Sequence, residues 1–281
     1  MSKIKIFIYG LLDGLLRWSV IDEKKPWNEL VKTLLQAIFL AVIFRSLFFE
    51  PFHIPSGSMK DGLLVGDFIF VSKTSYGYSR YSFPLGLPFF EGRVFADEPK
   101  RGDVVVFRLP SNPRVDYIKR LVGLPGDKIQ VRDGVLYIND KAAPQTEIEP
   151  FIDDEKNHHQ QSIRRFKETL PDENMKSGKI HTVLDATHNS ISDDTEIHTV
   201  PKGHYFMMGD NRDNSTDSRF GEDTGFIHVN GGGGVGFVPA ENLVGRADFI
   251  LLSIGENDHF WEVWRWFDGG LRWNRFFTKI N

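Results

Sequence analysis

The chain has 281 residues, enough for one sizeable domain plus an appendage or for two modest domains. A net charge of -4 with an ordinary charged fraction of 26% leaves no basic footprint for nucleic acid, and the lack of cysteine excludes disulfides, thiol catalysis and cysteine zinc sites. The unusual figure is aromatic content, 24 Phe and 6 Trp, much of it beside the one long apolar run and near the C-terminal end, which points to a membrane.

In chain order, residues 1–29 mix short apolar patches with Lys3, Lys5, Arg17, Lys24 and Lys25 and read as a cytoplasmic or interfacial segment. Asp13 interrupts residues 4–16, and no small-residue cleavage site follows, so a signal-peptide core fits poorly. Residues 30–49 span about 20 positions, the length that crosses roughly 30 Å of hydrocarbon. Residues 34–44 carry no charge, and Lys32 and Arg45 lie close enough to the ends to snorkel. Bulky Phe48, Phe49, Phe52 and Ile54 follow the run, so the expectation is a retained transmembrane anchor over 30–50. Lys and Arg are denser before it than after it, which places the N-terminus in the cytoplasm and the rest outside.

Past the anchor the pattern changes to strands. Residues 63–71, 103–108, 117–123, 128–132, 134–138 and 205–208 are β-branched or aromatic runs bounded by Gly, Pro and Asp, and Asp133-Gly134 is a hairpin turn signal. These predict a mostly-β, antiparallel catalytic domain over 51–252. An aromatic loop lies at 79–96, and the polar, weakly periodic block 140–200 reads as an inserted ribbon or loop region, partly mobile. His158-His159 lacks the spacing of a helical metal pair, and residues 231–234 form a glycine hinge with no phosphate-loop lysine. The tail 253–281 mixes Trp, Phe, Arg and Lys, the composition of either a membrane-surface segment or a packed C-terminal helix.

Directly after the anchor comes Phe52-His53-Ile54-Pro55-Ser56-Gly57-Ser58-Met59. It is either a loop that merely ends a helix or a bend that presents a hydroxyl, in which case Ser58 is the nucleophile. A serine needs a base. No histidine has an obvious strand-end setting, whereas Lys119 sits inside an apolar strand next to Arg120, and alternation sends one of the two inward. A lysine with a pKa of roughly 10.4 offers a free amine about once in a thousand near neutral pH. Lowering that pKa by two to three units costs roughly 3–4 kcal/mol, within the reach of desolvation. The stretch Met208-Gly209-Asp210-Asn211-Arg212-Asp213-Asn214-Ser215-Thr216-Asp217-Ser218-Arg219 reads either as a solvated turn or as a buttress for such a lysine.

Taken together, Pro55-Ser56-Gly57-Ser58-Met59, Arg101-Gly102-Asp103-Val104-Val105, the run from Tyr117-Ile118-Lys119-Arg120 to Pro125-Gly126-Asp127, and Gly209-Asp210 through Asp217-Ser218-Arg219 resemble the ordered boxes of bacterial type I signal peptidases. The resemblance implies Ser58 as the acylated nucleophile, Lys119 as general base, and Ser56 with the Ser58 N–H as oxyanion hole. It further implies that Ser215 orients the lysine, that Asp210 pairs with Arg120, and that Asp217 pairs with Arg219. Phe52, Ile54, Leu63, Tyr117 and Ile118 match positions lining shallow apolar substrate pockets, and the substrate would be a preprotein cut after an Ala-x-Ala-type site. No metal or cofactor is expected; the partners would be preproteins and membrane lipid, and the location a bacterial cytoplasmic membrane. Two departures stand out: Asp61-Gly62 where the family commonly has Pro-Thr, and a glycine-rich insert at 220–235. The rivals are a self-cleaving Ser/Lys regulator peptidase, which would lack an anchor, and a non-catalytic membrane-tethered binding module.

Overall fold

The structure is a computed structural model that describes residues 26–82, 92–153, 161–172, 178–221, 234–255 and 270–281. The N-terminal segment 1–25, most of the aromatic loop, His158-His159, residues 231–233 of the glycine hinge and the tail tryptophans other than Trp273 lie outside these residues. The chain divides into two compact units, residues 1–45 and 46–281.

The first unit holds nearly all of the helix α1, Pro26–Leu47. Proline suits its first turn because the missing N–H has no partner there anyway, and Arg45 sits at the negative end of the dipole. Leu30, Val31, Leu34, Ile38, Leu40 and Val42 are exposed on it. Among the described residues no helix is long and apolar enough to cross a membrane. The expected span also ends sooner than predicted: Phe49 and Glu50 already pair with Ser72 and Val71.

The second unit is antiparallel β. In chain order its strands are β1 Phe49–His53, β2 Asp67–Ser72, β3 Tyr78–Ser79, β4 Arg93–Val94, β5 Val104–Leu109, β6 Asn112–Gly123, β7 Lys128–Arg132, β8 Val135–Ile138 and β9 Lys141–Ala142. They continue with β10 Gln145–Asp153, β11 Gln161–Pro171, β12 Gly178–Asp185, β13 His198–Thr199, β14 His204–Met208, β15 Val238–Pro239, β16 Leu243–Ser253 and β17 Thr278–Lys279. The main sheet runs β1-β2-β16-β5-β6-β14-β15, with β17 on β16. Strand β5 lies in its middle, and its unbroken Val104-Val105-Val106-Phe107 run is what a strand covered on both faces requires. Val104 and Val106 join one core with Ile54, Met59 and Leu63, while Val105 and Phe107 join another with Leu121 and Met207.

A second sheet, β13-β7-β8-β9, turns at Asp133-Gly134, where both residues have positive φ (48° and 74°) as a type I′ hairpin demands. The polar block is the ribbon rather than the loop: β10, β11 and β12 form a three-stranded sheet. Its strands pass unnoticed in the sequence because charged and polar residues occupy both faces, which erases the period of two. Residues 63–66, expected in a strand, form a turn instead, closed by the Asp67 N–H on the Leu64 carbonyl at 3.1 Å.

Leu121 is fully buried in β6, two positions past Lys119. Leu121→Ala is expected to lower unfolding stability by about 2–5 kcal/mol, read from urea denaturation.

Candidate active site

Strand β6 carries Lys119 and Arg120 on opposite faces, and both are buried because β5 and β14 flank the strand and each face is covered. The expectation that only one points inward is therefore too simple. Lys119 is 3% exposed, and its Nζ lies 2.5 Å from the Oγ of Ser58, itself 8% exposed in the 3-10 turn Gly57–Met59. The two residues are 61 positions apart in the chain.

Burial lowers the Lys119 amine to about 8; Asp217 and then Asp210 pull it back up, and Arg219 pushes it down again. Without the two carboxylates the amine would be more acidic still. Asp217 accepts two bonds from Arg219 at 2.9 Å and one from the Gly209 N–H at 2.9 Å. Burial alone would raise the Asp217 carboxyl, but Arg219, the Gly209 N–H and Lys119 hold it below its ordinary value. Arg120 forks onto Asp210 with bonds of 2.8 and 2.7 Å, and also donates to the Gly102 carbonyl at 2.8 Å. Both expected ion pairs are thus formed, each with bidentate geometry.

Ser56 is exposed at the start of the turn, in extended conformation (φ -136°, ψ 152°), and its hydroxyl caps nothing there. Ser215 is buried and its hydroxyl has no hydrogen-bond partner among the described residues, so the expected bond to the lysine amine is not made in this structure. Phe52, Tyr117 and Ile118 are half-buried and reach the surface. Ile54 and Leu63, at 2% and 1% exposure, belong to the core on which Phe52 and Ile118 pack rather than to an open pocket wall, while Tyr117 packs on the core of the opposite face.

Several residues that the sequence reading left without a role complete the surroundings. The Asn211 N–H donates to the Ser58 carbonyl at 3.1 Å, and its side-chain amide to the Gly57 carbonyl at 3.0 Å. Glu168 and His181, from β11 and β12, stand behind Asp210: His181 Nε2 is 3.3 Å from Glu168 and 3.8 Å from Asp210. Burial, then Arg120, lowers the His181 imidazole, while burial of Glu168 is outweighed by Arg212 and His181, which hold its carboxyl at about 2. A neutral histidine and a charged glutamate follow at neutral pH. No group of three or more His, Asp or Glu side chains among the described residues is arranged to hold a metal ion.

Lysine burial at this position makes stability depend on pH. Between about pH 8 and the ordinary value of 10.5 the unfolded chain carries a proton on Lys119 that the folded chain has lost, so stability rises with pH across that window. Below it, the folded state holds a buried ammonium. Lys119→Met is therefore expected to be more stable than the wild type by about 3 kcal/mol near neutral pH, with the gain vanishing toward about pH 10.5, as followed by thermal denaturation.

The family model for "Signal peptidase, peptidase S26" matches residues 27–252. Signal peptidase I of Rickettsia felis is 47% identical over 221 residues, 77% of this chain and 76% of the relative. That of Rickettsia massiliae is 45% identical over 235 residues, 82% and 80% of the two chains. A crystal structure of a signal peptidase I from Enterococcus faecalis aligns at 26% identity over 53% of this chain and 97% of that one, with a TM-score of 0.28.

Proposed function

The chain belongs to the signal peptidase family, peptidase S26, and on that footing we propose that it removes N-terminal signal peptides from preproteins through Ser58 and Lys119. The observation that carries the assignment is the buried Lys119 amine 2.5 Å from the Ser58 hydroxyl. With the amine neutral, the Ser58 O–H donates to Nζ, and the proton passes to the lysine as Oγ attacks the scissile carbonyl. The Ser58 N–H and the unused Ser56 hydroxyl receive the developing oxyanion. Collapse returns the proton from Lys119 to the departing amine, the new N-terminus of the mature protein. Water, deprotonated by the same lysine, then frees the signal peptide from the ester.

Around this pair, Asp210–Arg120 and Asp217–Arg219 keep the loop behind the lysine in register. The Ser215 hydroxyl, which has no partner among the described residues, takes up the amine once the Ser58 proton has moved. Phe52 and Ile118 line a shallow apolar surface for small side chains with Ile54 and Leu63 as its floor, and Tyr117, on the Lys119 face of β6, adds a second apolar wall beside the amine, which favours an Ala-x-Ala-type site. Helix α1 anchors the enzyme in the bacterial cytoplasmic membrane with the catalytic unit outside. Support for the anchor comes from its exposed Leu, Ile and Val side chains and from the uncharged run at residues 34–44. A substrate held in the same bilayer then meets the site at a raised effective concentration.

Cleavage of a preprotein by the full chain should fall by at least about a thousandfold in Ser58→Ala and in Lys119→Ala. For the wild type, kcat should climb with pH along a limb centred near about 8. A limb instead centred near about 6.5 that disappears on replacing one histidine would transfer the base role to that residue. In a flotation assay, the full chain should rise with phospholipid vesicles and withstand carbonate extraction, whereas a variant with four of the exposed apolar residues of α1 replaced by serine should be extracted.

A further inference from the structure

The nucleophile turn is short of internal restraint. It contains Gly57 and Gly62, the residue type with most backbone freedom, on either side of Ser58. Yet catalysis needs the Ser58 hydroxyl kept against Lys119. Much of the restraint comes from the ribbon β10–β12. The stem of Lys60 lies under the turn, close enough that a Cβ on Gly57 would sit 3.2 Å from its Cε. Its ammonium bonds both carboxylate oxygens of Asp153, at the end of β10, at 3.1 Å, with side-chain exposures of 4% and 10%. The next residue, Asp61, accepts from Arg165 of β11 at 2.6–2.7 Å. From the other side, Leu184 of β12 grips the loop that carries Asn211: its N–H donates to the Asp210 carbonyl at 2.8 Å, and its own carbonyl accepts from the Arg212 N–H at 2.9 Å. Asn211 in turn bonds the Ser58 and Gly57 carbonyls.

We propose that the β10–β12 ribbon is a positioning element for catalysis, holding Ser58 at Lys119 through the ion pairs Lys60–Asp153 and Asp61–Arg165. The proposal rests on the assignment of Ser58 as nucleophile. Lys60, Asp61, Asp153 and Arg165 are positioning residues: they act through the turn. The Lys60–Asp153 pair is buried and engages both carboxylate oxygens, which fixes distance and direction as a solvated pair does not, and the half-exposed Asp61–Arg165 pair adds a two-nitrogen hold on one oxygen. Loss of either pair lets the turn wander, and a displacement of about 1 Å at the reacting atom is enough to cost about a hundredfold in rate.

The experiment measures kcat and KM for preprotein cleavage by the full chain in detergent micelles, with Asp153→Asn and Arg165→Met set against Arg164→Met and Ser58→Ala. Arg164 pairs with Asp185 inside the ribbon, at 2.6 Å, and serves as the control for ribbon integrity alone. Expected is a fall in kcat of about 10- to 100-fold in Asp153→Asn and in Arg165→Met, with KM within about twofold and the Arg164→Met rate within about twofold of wild type. Unchanged kcat in both test variants, or an equal fall in Arg164→Met, overturns the proposal while leaving the nucleophile assignment in place. Full activity in Ser58→Ala overturns both. If Asp153→Asn strands a buried ammonium and does not fold, Arg165→Met, which cuts a half-exposed pair, decides the outcome alone.

Discussion

A lysine amine kept dry enough to give up its proton near pH 8 is the constraint on which the rest of this molecule depends. The Lys119 side chain loses water on every side because its strand lies inside the main sheet with material over both faces. Moving its proton affinity down to about 8 costs about 3 kcal/mol at neutral pH, a sizeable share of the 5–15 kcal/mol by which a domain is stable. The flanking cores offset that cost: fully burying one Val or Leu side chain contributes about 1.5–3 kcal/mol, and β5 alone buries several.

Charges near the amine are tuned rather than removed. Asp217 and Asp210 would, if free, draw a proton onto Lys119 and silence it as a base. Each is instead occupied by an arginine fork, and Arg219 adds a repulsion of its own. Behind Asp210 the neutral His181 ring separates it from a second ion pair, Glu168 with Arg212, whose Nη2 donates to Glu168 at 2.5 Å. A buried network of this kind is stable only when its members are paired, because an orphaned buried charge is far costlier than the pair is favourable. Among the described residues the pairing is incomplete: Ser215 Oγ, Glu168 Oε2, Arg212 Nε and both ring nitrogens of His181 are buried without a hydrogen-bond partner.

The turn and the lysine come from opposite constraints on the backbone. Strand β6 is rigid and presents its residues by alternation; the Ser56–Ser58 segment bends and carries glycine. What unites them is a third party, the loop 209–219, whose Gly209 is packed so tightly that a Cβ there would overlap Ser215 and the Ser58 carbonyl. Rigid strand, flexible turn and close-packed loop meet at one hydroxyl.

Local chemistry was legible in the sequence. β7 starts and ends where its residue types said it would, the Asp133-Gly134 hairpin turns as its dipeptide requires, and the serine turn, the strand lysine and the carboxylate–arginine loop were each visible as short patterns. β16 was not picked out, although it bridges β2 and β5 at the centre of the sheet. The block 140–200 read as a ribbon or a loop with no strands marked out, because strands that face charges on both sides carry no alternation. What the sequence by itself determined is therefore which residues can do chemistry and which stretches bend or extend, since both follow from side chains a few positions apart. Only the tertiary structure decided that Lys60 reaches Asp153 and Arg165 reaches Asp61, and that the Ser215 hydroxyl has no hydrogen-bond partner among the described residues. Pairings between residues 93 and 104 positions apart are set by how sheets close on one another, and they leave no trace in local spacing.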